Sequence, residues 1–80
     1  MSLEKLNWIE DGALIADGFD DAIMGVSTGD GRVVYLMSLM IKTLVEVDQM
    51  NYEDALEHLW YNVVGAYVGE MTPIYVNDLI

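Results

Sequence analysis

The residues with the clearest potential for chemistry are the single histidine and the carboxylates near it. His58 follows Asp54 by four residues and Glu57 by one, so on a helix an Asp54–His58 contact is feasible. General acid–base catalysis would also need a pocket and a nucleophile within reach. The chain has no cysteine, and its serines and threonines fall in no nucleophile motif. We therefore expect an exposed helix histidine and no catalytic residue, with a pH sensor or a metal ligand as the alternatives.

A second group of carboxylates comprises Asp17, Asp20 and Asp21. Clustered carboxylates can coordinate Ca²⁺ or Mg²⁺, but this spacing does not match an EF-hand loop. Turn chemistry explains the same residues, because Asp17 can accept hydrogen bonds from the backbone of the turn that follows at Gly18. We expect no metal site and no cofactor. A patch that faces a partner protein, shared with Asp54, Glu57 and His58, is the functional alternative.

The carboxylates around the histidine are predicted to lie on a long helix, from about residue 52 to residue 68. Asn51 can cap its first turn, and Gly69 followed by Pro73 is a typical stop signal. Apolar residues recur between these limits at three- and four-residue spacing, which predicts a broad face that packs on the rest of the domain.

Two residues inside this predicted helix need a reason. Asn62 is expected to point partly toward the core, where an amide without partners costs roughly 1–3 kcal/mol. Gly65 in a helix interior costs up to about 1 kcal/mol relative to alanine. Close backbone approach of the sheet or of a second subunit at Gly65, together with hydrogen bonds from Asn62 to loop backbone, would explain both choices. A small-molecule pocket beside Asn62 is the alternative.

The remaining segments predict an α+β fold in a single domain, residues 1–80. Residues 21–36 read as a β-hairpin with a turn at 28–31, and Gly25 within its first strand indicates either a bulge or a close neighbour. A first helix is expected at about 38–49, and residues 74–76 could add a short strand. The predicted architecture is a small antiparallel sheet covered on one face by two helices. Residues 1–12 are interpreted as a tail or an edge strand.

The charge balance restricts the partners. Fourteen acidic residues stand against three lysines and arginines, for a formal charge of −11. Such a field repels nucleic acid and anionic membrane surfaces and attracts cationic protein patches. No apolar run reaches the roughly 20 residues of a membrane span, and the first residues lack a signal-peptide pattern. We therefore expect a cytoplasmic protein that binds a protein partner, with neither direct nucleic-acid binding nor membrane association. The large apolar fraction, 54%, leaves a homo-oligomer open.

Several segments together resemble a family of small proteins encoded mainly by tailed bacteriophages and prophages. The matching pieces are ALIADGFDDAIMGV (13–26), VVY (33–35) and MNYEDALEHLWYNVVGAYVGEMTPIYV (50–76), whose motif includes Asn62, Gly65, Gly69 and Pro73. The resemblance covers most of the chain after residue 12. It departs at the entry to the first helix, where relatives carry an acid-rich Tyr-Asp-x-Asp and this chain has Tyr35-Leu36-Met37-Ser38, so weaker capping is expected there. The resemblance implies a phage accessory protein in a bacterial host cell and no particular chemistry.

The leading hypothesis is a non-enzymatic protein that binds, and in one version inhibits, a host or phage protein. A competing hypothesis is a nucleic-acid mimic that blocks a restriction, CRISPR or other DNA- or RNA-binding protein. A third hypothesis is a self-assembling structural protein, and a fourth is a small-molecule-binding protein.

Overall fold

A computed structural model describes residues 13–66 and 68–79 of the chain. The prediction of a tail or edge strand at residues 1–12 lies outside the described residues. A 3-10 turn at Asp20–Ala22 is followed by strands β1 (Ile23–Val26) and β2 (Val33–Leu36), then by helices α1 (Met37–Glu46) and α2 (Tyr52–Leu59). A π-helical turn at Trp60–Val64 continues α2, and β3 (Ile74–Val76) follows. The predicted α+β class is confirmed.

Strands β1 and β2 form the predicted antiparallel hairpin. The turn is closed by a hydrogen bond from the Ser27 amide to the Arg32 carbonyl at 2.8 Å, and Gly31 adopts a φ of 74° that favours glycine. Ile23 pairs with Tyr35 but Gly25 pairs with Val34, so one extra residue lies in β1. Of the two alternatives predicted at Gly25, the bulge is therefore confirmed.

Strand β3 corrects the predicted antiparallel sheet. It pairs with β2 in parallel, with Val34 opposite Ile74 and Leu36 opposite Val76, so the sheet is mixed and its order is β1-β2-β3. The two helices between β2 and β3 return the chain to the starting end of β2. Such a return produces a parallel neighbour, whereas a tight turn would have produced an antiparallel one.

Helix α1 begins and ends earlier than the predicted 38–49. After Glu46 the chain turns away, with Gln49 at a φ of 57° and the Met50 amide donating to the Leu44 carbonyl at 3.2 Å. This link places α2 beside α1. The predicted cap of α2 is present, because the Asn51 side chain accepts a hydrogen bond from the Asp54 amide at 2.8 Å.

The second helix is shorter than the predicted 52–68. Its α-helical part ends at Leu59, and in the π turn the Gly65 amide donates to the Trp60 carbonyl at 3.1 Å, five residues back. A Cβ at Gly65 would lie only 2.8 Å from that carbonyl oxygen. The close approach expected at Gly65 is thus made by its own helix, and neither the sheet nor a second subunit is needed to explain this glycine.

Gly69 and Pro73 belong to a turn that leads into β3. The Thr72 hydroxyl donates to the Gly69 carbonyl at 2.6 Å and accepts from the Val68 amide at 3.0 Å, and the Arg32 guanidinium donates to the Thr72 carbonyl at 2.6 Å. Thr72 is buried, and Gly69 has a φ of 120°. This turn fixes the start of β3 against the hairpin.

The core lies between the sheet and the two helices. Tyr35, Ile23 and Val33 of the sheet are fully buried there, and their side chains pack with residues from both helices. The clustered residues are Phe19, Ala22, Ile23, Val33, Tyr35, Met40, Ile41, Leu44, Ala55 and Leu59. The predicted cover of one sheet face by two helices is confirmed.

Candidate functional site

Val47, the residue after α1, is the centre of an acidic part of the surface. Its side chain is 72% exposed. It lies between two shallow depressions, of about 240 Å³ and about 280 Å³, and lines both of them. The first is lined by Asp21, Leu39, Lys42, Thr43, Glu46 and Val47, and the second by Asp17, Gly18, Phe19, Thr43, Leu44, Val47, Asp48 and His58.

His58 connects this region to a third depression along α2, of about 460 Å³, which also contains the 79%-exposed Tyr61. The third depression is lined by Met50, Asp54, Glu57, His58, Tyr61 and Asn62. The three depressions therefore form one continuous area. We call it the acidic surface and define it by Asp17, Asp21, Glu46, Asp48, Asp54 and Glu57 around Val47, His58 and Tyr61.

The charges on the acidic surface are strongly unbalanced. All six carboxylates belong to exposed residues. Lys42 is the one lysine or arginine among the described residues that line the three depressions. Arg32 lies elsewhere, 3.8 Å from Asp30 and hydrogen-bonded to the turn at Thr72. The acidic surface therefore carries a concentrated negative potential.

The fold brings most of the predicted site residues together. Asp17 and Asp21 come from the turn before β1, whereas Asp54, Glu57 and His58 come from α2, and all five line the acidic surface. Asp20 is exposed beside Asp21 but does not line these depressions.

The sequence interpretation missed four members of the surface, which are Glu46, Val47, Asp48 and Tyr61. A signal was present in the run from Glu46 to Asp48, where an aliphatic residue stands between two acids at the end of a helix. Its position against Asp17 and His58 follows from the angle between the helices, which the sequence pattern does not show.

The turn at Asp17 is closed differently from the prediction. The Phe19 amide donates to the Ala16 carbonyl at 3.2 Å, and Gly18 takes a φ of 87°, as a type II turn requires. The 3-10 turn that follows has no side-chain cap. This turn is therefore closed by a backbone hydrogen bond and not by the predicted hydrogen bonds to the Asp17 carboxylate. The Asp17 side chain instead lines the second of the surface depressions.

His58 has an amide neighbour rather than the expected carboxylate. Asn62 Nδ2 lies 3.4 Å from His58 Nδ1, and Asn62 is exposed, so the prediction that it points partly toward the core is wrong. The π turn changes the angular spacing after Leu59 and rotates Asn62 outward. The nearby Thr43 hydroxyl donates to the Leu39 carbonyl at 3.0 Å within its own helix. The groups around His58 thus do not form a nucleophile–base pair.

Asn62 also lies at the edge of an apolar groove of about 440 Å³. The groove is lined by Leu14, Ile15, Ala16, Asp17, Phe19, Asn62, Val63, Ala66, Val68, Pro73 and Tyr75. This groove lies where the sequence analysis gave a small-molecule pocket beside Asn62 as an alternative. Apart from the phenol of Tyr75, Asn62 and Asp17 are the only polar side chains among these lining residues, so the groove offers few groups to orient a ligand.

Among residues 13–66 and 68–79, no three histidine, aspartate or glutamate side chains are placed to hold a metal ion. In the same ranges no helix has both the length and the apolar character needed to cross a bilayer. No family model, curated protein or solved structure matches this chain.

Proposed function

We propose that this chain is a non-enzymatic binding protein whose acidic surface docks on a cationic patch of a protein partner. The observation that carries the proposal is the arrangement around Val47. This exposed aliphatic side chain stands among carboxylates from two separate segments, the turn before β1 and the end of α1, with His58 of α2 beside them. Protein interfaces commonly combine an apolar or aromatic centre with a polar rim. Val47 and Tyr61 supply the centre, and the carboxylates supply the rim.

The expected roles of these groups differ. Carboxylates at a rim mainly accelerate encounter with a cationic partner and suppress wrong partners, and salt screens their effect. Tyr61 and Val47 lose contact with water on docking and contribute to the lifetime of the complex. The resemblance to phage and prophage proteins directs the search to bacterial cytoplasmic partners, and an accessory role that includes inhibition is consistent with this small size.

Affinity capture from a bacterial lysate tests the proposal with a matched pair of variants. Glu57→Lys changes the acidic surface, whereas Glu70→Lys makes the same change in net charge in the Gly69–Thr72 turn, outside that surface. We expect wild type and Glu70→Lys to capture the same stoichiometric partner, and Glu57→Lys to lose it.

The salt response and the nature of the partner refine the result. Elution at moderate salt supports electrostatic docking, and a DNA- or RNA-binding protein as the partner would favour the mimicry version of the proposal. Equal capture by Glu57→Lys and Glu70→Lys would overturn the proposal, as would the absence of any specific partner.

A further inference from the structure

The outer face of the sheet, opposite the helices, is apolar and has no described element packed on it. Met24, Val34, Leu36, Ile74 and Val76 all belong to strands, yet none of them is part of the core cluster or packs against it. Met24 is 56% exposed and Val76 36% exposed. The cross-strand pairs Val34–Ile74 and Leu36–Val76 place these side chains in adjacent rows.

This outer face contains no charge in a chain that carries many. None of the three strands contains an acidic or basic residue, whereas the acidic surface lies on the helical side. Two copies of so acidic a chain repel each other in most orientations. Approach through their uncharged sheet faces keeps the two acidic surfaces farthest apart.

The space above Gly25 on this face is open. The pairing of Gly25 with Val34 places any side chain at this position on the outer face. Nothing lies within 4 Å of a Cβ built there, and its φ is not in the left-handed region. The bulge in β1 accounts for a glycine at this position, and the described fold leaves the space above it unfilled. Together with Met24, Val26 and Val34, Gly25 lines a depression of about 180 Å³ that a side chain of a second molecule can enter.

From these observations we infer that a second copy of this chain covers the outer sheet face, which gives a symmetric dimer with sheets packed face to face. A two-fold axis matches this patch with itself, so a neutral apolar face meets another neutral apolar face. Both acidic surfaces remain exposed on the outside of the dimer, which would therefore be bivalent for a partner.

The dimer should be weak. Three short strands spaced about 4.8 Å apart give a face of roughly 200 Å², well below the roughly 800 Å² per partner of a standard interface. Added salt screens the repulsion between the two chains and should strengthen the dimer. Partner docking on the acidic surface should weaken under the same conditions, so the two associations are distinguishable and neither depends on the other.

Sedimentation velocity over a concentration series, at low and high salt, tests the inference with three variants. Gly25→Glu and Ile74→Lys each place a charge on the outer face, and Val45→Glu places one on α1, at an exposed position away from it. We expect wild type and Val45→Glu to show a concentration-dependent dimer that increases with salt. Both face variants should weaken it by roughly tenfold or more, because each leaves a charge in an apolar contact.

Gly25→Glu makes the net charge more negative, and Ile74→Lys makes it less negative. If both variants weaken the dimer, the cause is a lost contact at the outer face and not a change in the repulsion between the two chains. Far-ultraviolet circular dichroism checks that each variant is folded, and a Cβ added at Gly25 meets nothing within 4 Å in the described fold. A wild type that stays monomeric at all concentrations and salts would overturn the inference. A dimer that persists in Gly25→Glu would overturn it as well.

Discussion

The carboxylate of Asp78 caps the first turn of α1 from forty residues away. It accepts a hydrogen bond from the Ser38 amide at 2.8 Å and another from the Ser38 hydroxyl at 2.5 Å. Leu36, the residue in the N-cap position, has no side chain that can do this. The weak capping expected from the sequence at Tyr35-Leu36-Met37-Ser38 is therefore compensated by a residue that follows β3.

Replacing Asp78 with asparagine should lower Tm by a few degrees, because a neutral amide oxygen is a weaker acceptor at a helix N-terminus. The hydroxyl and the amide of Ser38 hold the pKa of the Asp78 carboxyl below its usual value of 3.8. A carboxyl with a lowered folded-state pKa adds stability above pH 3.8 and loses it as pH falls through the folded-state value.

Thermal unfolding at several pH values checks this. The gap in Tm between wild type and Asp78→Asn should be largest near neutral pH and should close in strong acid. Glu70→Gln, a replacement of another exposed acid, is the control, and a gap that persists unchanged into strong acid would contradict the assignment.

The hydroxyl of Tyr35 should be required to fix the chain before β1. It accepts a hydrogen bond from the Ala16 amide at 2.8 Å, and the Tyr35 side chain is fully buried and stacked on Tyr75 with ring centroids 5.8 Å apart. Tyr35→Phe removes the acceptor and keeps the ring, so we expect a loss of about 1 kcal/mol in the free energy of unfolding by urea. Tyr52→Phe, at an exposed position, should change it little.

Alkaline pH should destabilise the fold through the same tyrosine. Burial raises the pKa of Tyr35 above its usual value of 10.0, and the nearby Tyr75 and Asp20 add to the shift while the Ala16 amide opposes it. A raised folded-state pKa means that this stability is complete below pH 10.0 and is lost as pH rises through the folded-state value. Ultraviolet titration should show fewer tyrosines that ionise at the highest pH in Tyr35→Phe than in wild type. If the two proteins have the same number of such tyrosines, the raised pKa of Tyr35 is contradicted.

The hydroxyl of Thr72 should be essential to the turn before β3. Thr72→Val keeps the volume but leaves the Val68 amide without its acceptor, and the Gly69 carbonyl keeps only the hydrogen bond from the Thr72 amide, for an expected loss of about 1–3 kcal/mol. Thr72→Ser retains the hydroxyl and is the matched control. Urea unfolding of the two variants decides the point, and equal stabilities would show that the hydrogen bonds are not what holds the turn.

Gly65→Ala should destabilise the protein, although alanine is the better helix former. In an ordinary helix the change would add up to about 1 kcal/mol of stability. Here the new Cβ would lie 2.8 Å from the Trp60 carbonyl oxygen, so the π turn would have to shift, and we expect a net loss of roughly 1 kcal/mol or more. Gly25→Ala, which meets open space, is the control in the same unfolding assay.

The features that the sequence predicted correctly depend on neighbouring residues. The Asn51 cap, the hairpin turn at residues 28–31 and the bulge at Gly25 are each determined by a few adjacent side chains and glycines. The parallel pairing of β3 and the cap from Asp78 involve residues about forty positions apart, for which local patterns carry no signal.

The candidate surface shows the same division. Periodicity identified the acids of α2 and composition identified those near Asp17. The depression that joins Asp17, Asp48 and His58 exists only because the helices pack as they do. Gly65 in the sequence is consistent with an early end of α2. The prediction instead placed the end at Gly69 and Pro73, which are a stronger stop signal.

The most direct measurement is an amide chemical-shift titration of the isotope-labelled protein with its captured partner at low salt. The proposed function predicts that the largest changes fall on the acidic surface, at Asp17, Val47, Asp48, Glu57 and His58, and that they diminish as salt is raised. Changes confined to the outer sheet face at Val34, Leu36 and Ile74, with the acidic surface unaffected, would contradict the proposal that the acidic surface is the partner-binding site.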